Sequence, residues 1–164
     1  MTPPPASTRY VIAGGGRTSS STSSLLAYDN NTTTSWYTTT SGIPRAAYVY
    51  FDLGAVKSVS KVQWYFARTG PADSFRIQVS SDKSSWTTIS TRSNGKGAAW
   101  ESFAWKGQAR YVRFYFDNPN KDTVLGYLGE VRIYFLSIAP ACLQPSRSAG
   151  WTVRPGVVVP GWRL

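Results

Sequence analysis

The chain has 164 residues, with 18 basic and 8 acidic side chains for a formal net charge of +10, and 15% of its residues are aromatic. That length supports one domain with flanking tails. No apolar run reaches the ~20 residues of a membrane helix, and a single cysteine, Cys142, excludes an internal disulfide. A basic, aromatic-rich surface suits anionic polysaccharide, anionic lipid or nucleic acid, and it speaks about association, not about fold.

Met1 is followed by TPPPAST, without the charged start and apolar centre of a signal peptide. Residues 1–8 read as the end of a Pro/Thr/Ser linker, as in a fragment of something longer. The lone cysteine is compatible with the cytosol and with a bacterial secreted module, but not with a disulfide-stapled extracellular style. Tyr10–Ala13 is a short strand ended by Gly14–Gly16, and Arg17–Ser24 is a Ser/Thr-rich loop.

Leu25–Trp36 reads LLAYDNNTTTSW. Consecutive asparagines and β-branched threonines disfavour a helix and bond the local backbone in turns. The stretch is therefore an ordered loop that offers hard oxygens: the Asp29 carboxylate, the Asn31 amide, the Thr34 hydroxyl and backbone carbonyls. Calcium takes 6–8 such oxygens, but one local carboxylate is few, so a second must come from elsewhere. The same residues equally make a polar Asx-turn with no metal.

Strand signals then arrive at regular spacing. Ala47–Leu53 is stopped by Gly54, and a second strand runs through Val59, Val62, Trp64 and Phe66. Phe75, Ile77 and Val79 alternate with Arg76 and Gln78, which gives a half-buried strand. Ser81–Ser84 is a tight turn and Trp86–Thr91 a strand. Trp100, Phe103 and Trp105 mark a weaker one, and Val112, Phe114 and Phe116 share a face of Ala109–Phe116. Gly129–Phe135 is the last. About eight short strands without a helix predict an all-β antiparallel sandwich over residues 9–135, with a Pro/Gly-rich tail of unassigned role over 136–164.

The order of AYDNNTTTSW, YVYFDLG, VSKVQW, FRIQVSSDKSSWTTI, ARYVRFYF and GEVRIY resembles the discoidin family, also called the coagulation-factor type C family. Its fold is galactose-binding-domain-like, and its bacterial members are often carbohydrate-binding modules. The resemblance implies an eight-stranded antiparallel jelly-roll β-sandwich. It also implies a structural calcium held by Leu26 (through its carbonyl), Asp29, Asn31, Thr34 and Glu130, so that Glu130 supplies the second carboxylate. The family usually has Gly after the Asp; here Asn30 stands in its place, a residue that tolerates a left-handed backbone. Trp36, Trp64 and Trp86 match positions that are usually core.

Catalysis is not expected. The chain has no histidine, which removes the common Ser-His and Cys-His nucleophile systems. Gly14–Gly16 lacks the context of a phosphate loop, and the acids look committed to turns, strand ends and the metal loop. Sugar sites in the family lie on loops at one end of the sandwich, where an aromatic ring stacks on a pyranose and polar groups read its hydroxyls. The resemblance therefore assigns ligand contacts to Tyr37, Arg45, Arg68, Asp73, Trp100 and Tyr127, with Arg68 and Asp73 as polar contacts and Trp100 or Tyr37 as platform; Lys96, Asn120 and Lys121 lie on the same loops. Arginine forks suit a carboxylate or sulfate.

The expected function is a non-catalytic module for polysaccharide or glycan, tilted by charge toward acidic glycans. It would be attached to other domains of a parent protein and act outside the cell or at its surface. The alternative is an anionic-lipid or protein-adhesion module, ranked second because Arg68–Pro71 carries little apolar surface. Nucleic acid ranks third, since no motif supports it. Arg113 and Arg132, beside Tyr111, Tyr115 and Tyr134, read either as a basic stripe on a sheet face or, the preferred reading, as an ordinary solvated face with aromatic cross-strand pairs.

Overall fold

Alternating apolar residues build the sheets. A computed structural model describes residues 7–19, 21–38, 45–68, 74–93, 96–117 and 125–136. These hold eight strands: β1 (Ser7–Arg9), β2 (Gly14–Arg17), β3 (Trp36–Tyr37), β4 (Ala46–Phe66), β5 (Ser74–Ser80), β6 (Thr87–Arg92), β7 (Ala99–Asp117) and β8 (Gly126–Leu136). The only helical element among the described residues is the 3-10 turn Ser24–Ala27. All pairings between these strands are antiparallel, and one isolated bridge, Phe66 to Gly97, is parallel.

The expected number of strands recurs with different members. Gly54 does not end a strand: β4 continues through it at φ 81, a left-handed conformation that suits glycine. The expected strands around Trp100 and Ala109–Phe116 are likewise one, β7. Tyr10–Ala13 is not a strand, whereas Gly14–Arg17 is. Ser7 and Thr8, expected in the linker, pair with Leu136 and Phe135 of β8. The tail from residue 137 onward lies outside the described residues.

Long strands that bend let one hydrogen-bonded path form two layers. The first half of β4 pairs with β2 and the second half of β7, which continues to β5 and β6. The second half of β4 pairs with β8 and the first half of β7, and β8 carries β1 and β3. Register shifts between Asp52 and Lys57 and between Val59 and Lys61 separate the halves. They also change parity: Ala47, Val49, Phe51 and Leu53 are buried before the shifts, and Val62, Trp64 and Phe66 after them. A strand that kept one unbroken alternation through the bend would turn the second set to solvent.

The layers meet through aromatic rings. Trp64 packs edge-on to Phe114 at 5.7 Å and Phe75 at 6.0 Å, and Phe66 meets Phe75 at 5.3 Å. The expected jelly-roll sandwich is thus the observed fold. Phe116, paired with Ala47, also touches Trp36 at 5.5 Å and Phe66 at 6.2 Å. The start of β4 and its end therefore lie at the same end of the sandwich.

Candidate functional site

That shared end collects strand termini. Ala46 and Ser74 both pair with Asp117, Tyr37 pairs with Gly126, and Phe66 with Leu128. Arg45 directly precedes β4 and Arg68 closely follows it. The Tyr37 and Tyr127 rings stack at 5.2 Å with 18° between their planes, and the Arg68 guanidinium sits 4.5 Å over the Tyr127 ring. Tyr127 adopts φ 54, and its carbonyl accepts from the Ala67 N–H at 2.8 Å, which ties the two segments together. Such an assembly offers aromatic rings beside a guanidinium fork.

Three of the expected ligand residues are thereby brought together, and Arg45 stands at the same end. Trp100 is placed elsewhere. Its ring packs on Tyr65 at 5.5 Å and under Arg132 at 4.2 Å, on the outer face of the β8–β4–β7 layer. Of the two expected platforms, it is Tyr37 that stands in the aromatic–arginine group. Asp73, Asn120 and Lys121 lie outside the described residues; Lys96 is described, and its N–H donates to Glu101 at 2.9 Å.

The Asp29 loop folds by local hydrogen bonds. Asp29 Oδ1 accepts from the Asn31 N–H at 3.0 Å, and its Oδ2 accepts from the Thr34 hydroxyl at 2.8 Å. Asn31 Oδ1 accepts from the Thr33 N–H and hydroxyl, at 3.0 and 2.7 Å. Asn30 takes φ 64, the left-handed conformation that its type tolerates. Leu26 lies in the 3-10 turn just before the loop.

Glu130 is fully buried beneath this loop. Its Oε2 accepts from the Asn30 N–H at 3.0 Å, and its Oε1 accepts from Arg9 Nη2 at 2.9 Å, with Arg132 Nε at 3.8 Å. Burial pushes its carboxyl above the ordinary range, and the Asp29 charge adds to that, against the opposing pull of Arg9, the Asn30 N–H and Arg132. Asp29 and Glu130 thus belong to one neighbourhood. Their carboxylates, the Thr34 hydroxyl and the Asn31 carbonyl are hard oxygens of the kind calcium takes. The Asn31 side chain instead serves its own turn, and Arg9 shares Glu130. Among the described residues no cluster of three acidic, histidine or cysteine ligands forms, so a cation here relies on neutral oxygens.

The other described acids are engaged. Asp52 receives a two-point contact from Arg110 at 3.0 and 3.1 Å, which with the Gly54 N–H holds its carboxyl below the ordinary range despite partial burial. Asp117 pairs with Arg76 at 2.8 Å. Asp82 accepts from the Ser85 and Ser84 N–H groups and the Ser80 hydroxyl, which bring it to about 2.

Sequence reasoning missed Arg9, because a residue next to a linker gives no signal that it meets Glu130 across 121 positions. It also placed Trp86 in the core. Trp86 is half-buried on the outer face of the other layer, where Arg113 lies 3.9 Å over its ring. Trp36 and Trp64 are core, as expected.

An antiparallel jelly roll whose termini gather aromatic and cationic groups at one end is a discoidin-type sandwich. The F5/8 type C domain model matches residues 4–127, and the chain belongs to that family. Similar solved structures include a truncated AlyQ with CBM32 and alginate lyase domains, at 26% identity and TM-score 0.66, covering 82% of this chain and 35% of that one. The CBM32 of AlyQ in complex with 4,5-unsaturated mannuronic acid is 28% identical with TM-score 0.62, covering 77% of this chain and 97% of that one. A chitosan-binding module 1 from a chitosanase/glucanase of Paenibacillus sp. IK-5 is 26% identical with TM-score 0.58, covering 80% and 95%. Among curated proteins no significant match is found. The chain therefore spans about a third of the two-domain AlyQ structure and nearly all of its isolated module.

Proposed function

We propose that the protein is a non-catalytic carbohydrate-binding module that takes glycans at the Tyr37–Tyr127–Arg68 end of the sandwich. The observation that carries this reading is the guanidinium at 4.5 Å over one of two stacked tyrosines. The rings suit the C–H face of a pyranose, and the arginine suits a carboxylate or sulfate. Acidic glycans are favoured. The chain carries +10, which opposes a cationic polymer such as chitosan, and the AlyQ module is seen with an unsaturated mannuronic acid. The AlyQ module also occurs beside an alginate lyase domain. By analogy this one acts outside the cell or at its surface, covalently attached to other domains, and raises their local concentration on a polysaccharide.

Calcium belongs to the proposal as a structural ion, held by Asp29, Thr34, Glu130 and backbone oxygens of the loop, the Leu26 carbonyl among the candidates. It would neutralise the two carboxylates and fix the loop to β8. The deciding experiment is a glycan array with and without chelator. Binding to uronate-containing glycans supports the reading; no binding across a broad panel rejects it. An anionic-membrane role is second, and liposome sedimentation separates the two.

A further inference from the structure

A second cleft lies away from the loop end, on the outer face of the β2–β4–β7–β5 layer. It measures about 380 Å³ and is lined by Arg17, Tyr48, Tyr50, Lys83, Trp86 and Arg113. Successive outward residues of β4 and β7 make its floor, with Tyr48 opposite Tyr115 and Tyr50 opposite Arg113. Gly16 makes room for it: a Cβ there would fall 2.5 Å from the Tyr50 ring, so only glycine lets that ring lie against β2.

Arg113 is held in place by neutral groups, whereas Lys83 also feels the Asp52 carboxylate. Arg113 donates from Nε and Nη2 to Gln78 Oε1 at 2.9 and 2.7 Å, and its guanidinium lies 3.9 Å over Trp86 and 5.4 Å over Tyr48. Trp86 is itself fixed, donating from Nε1 to the Lys83 carbonyl at 3.2 Å. Lys83 stands at φ 67 in the turn that Asp82 organises, with Nζ 5.5 Å from the Tyr50 ring and 5.8 Å from Tyr111. The four ion pairs among the described residues use Arg9, Arg76, Arg110 and Arg132, and none uses Arg17, Lys83 or Arg113. Partial burial pulls Arg113 below its ordinary value, as expected of a cation that has lost water without gaining an anion.

We propose that this sheet face is a second binding site, for an anionic polysaccharide whose carboxylates or sulfates meet Arg113 and Lys83 while its rings lie on Trp86, Tyr48 and Tyr50. The stripe continues to Tyr115 and Arg76, which stack at 4.6 Å. From Ser80 to Ser74 it spans roughly 20 Å of strand, the extent of a chain and not of a single sugar. The site stands on its own observations and is tested apart from the loop end.

The test is affinity electrophoresis of the whole chain in gels containing alginate, dextran sulfate or neutral dextran. The variants are Arg113→Gln with Lys83→Asn, Lys83→Asn alone, and Arg68→Ala with Tyr127→Ala. Asparagine suits the positive φ of position 83, and a melting curve for each variant reports folding. The Arg113/Lys83 pair is expected to weaken retention on both anionic polymers about tenfold. Lys83→Asn alone should give a smaller loss in the same direction, and dextran should be unaffected. Wild-type retention by either folded variant overturns the site. So does a loss confined to the Arg68/Tyr127 variant, which would leave the loop-end reading standing. Absence of retention by the native chain on every polymer rejects both sites. Tighter binding to single-stranded oligonucleotide or phosphatidylserine vesicles, lost in the same variant, would assign the face to another ligand and overturn the proposal.

Discussion

Arg9 donates from Nη2 to Oε1 of Glu130 at 2.9 Å, joining the first described strand to the last through a carboxylate that no solvent reaches. A buried carboxylate deprived of its cation is strongly destabilising, while replacing both partners by neutral groups costs far less. Arg9 is about a third exposed, which weakens the effect. Arg9→Ala is expected to lower the unfolding free energy by about 2 kcal/mol. Adding Glu130→Gln should recover much of that loss. Urea unfolding of the four species of this cycle measures the coupling.

The same carboxylate carries the metal proposal. A cation that binds only the folded chain raises the melting temperature in a concentration-dependent way. Calcium is expected to raise it in the native protein, and a chelator to reverse the rise. Asp29→Asn should abolish the response while leaving the fold intact. A melting temperature indifferent to calcium in the native chain would remove the ion from the account.

At the loop end, Arg68→Ala and Tyr127→Ala are each expected to weaken binding to uronate glycans roughly tenfold. Arg68 is exposed and Tyr127 half-buried, so a melting curve for each variant separates a lost contact from lost folding. Isothermal titration with a short uronate oligosaccharide tests this, and salt should weaken the native interaction.

Acid stability has a defined sign. The fold holds Asp82 at about 2 against an ordinary 3.8. Its contribution is complete above the ordinary value and is lost as pH falls from there toward 2. Glu130 runs the other way: its carboxyl is raised, so its contribution is present below its ordinary value of 4.5 and is lost as pH rises through the folded value. Asp82→Asn should therefore flatten the fall in melting temperature between about pH 4 and about pH 2. An unchanged profile would show that other carboxylates govern acid unfolding.

In the core, Phe114 touches Phe51, Trp64 and Phe75, and so bridges the two layers. Phe114→Ala is expected to cost about 3–5 kcal/mol, measured by urea unfolding. Val112→Ala, which removes less volume in the same strand, should cost less.

Much of the fold is legible in the residues because a strand writes its burial in a period of two. Phe75, Ile77 and Val79, and then Val112, Phe114 and Phe116, name their own faces. Asn30 likewise announces a left-handed turn that the structure contains. Strand continuity is less legible. Gly54 looks like a stop, and only pairing with β7 on both sides of the bend carries β4 through it.

The sequence by itself determined an all-β chain without histidine, strongly basic, with a hard-oxygen loop and strands of clear alternation. These are local properties, set by residue type and nearest neighbours. Tertiary structure alone decided that Arg9 meets Glu130, that Tyr127 rather than Trp100 stacks on Tyr37, and that Trp86 leaves the core to lie beneath Arg113. Each of those contacts depends on which strand lies beside which. Strand pairing is fixed by burial summed over both layers, and no short stretch of chain contains that sum.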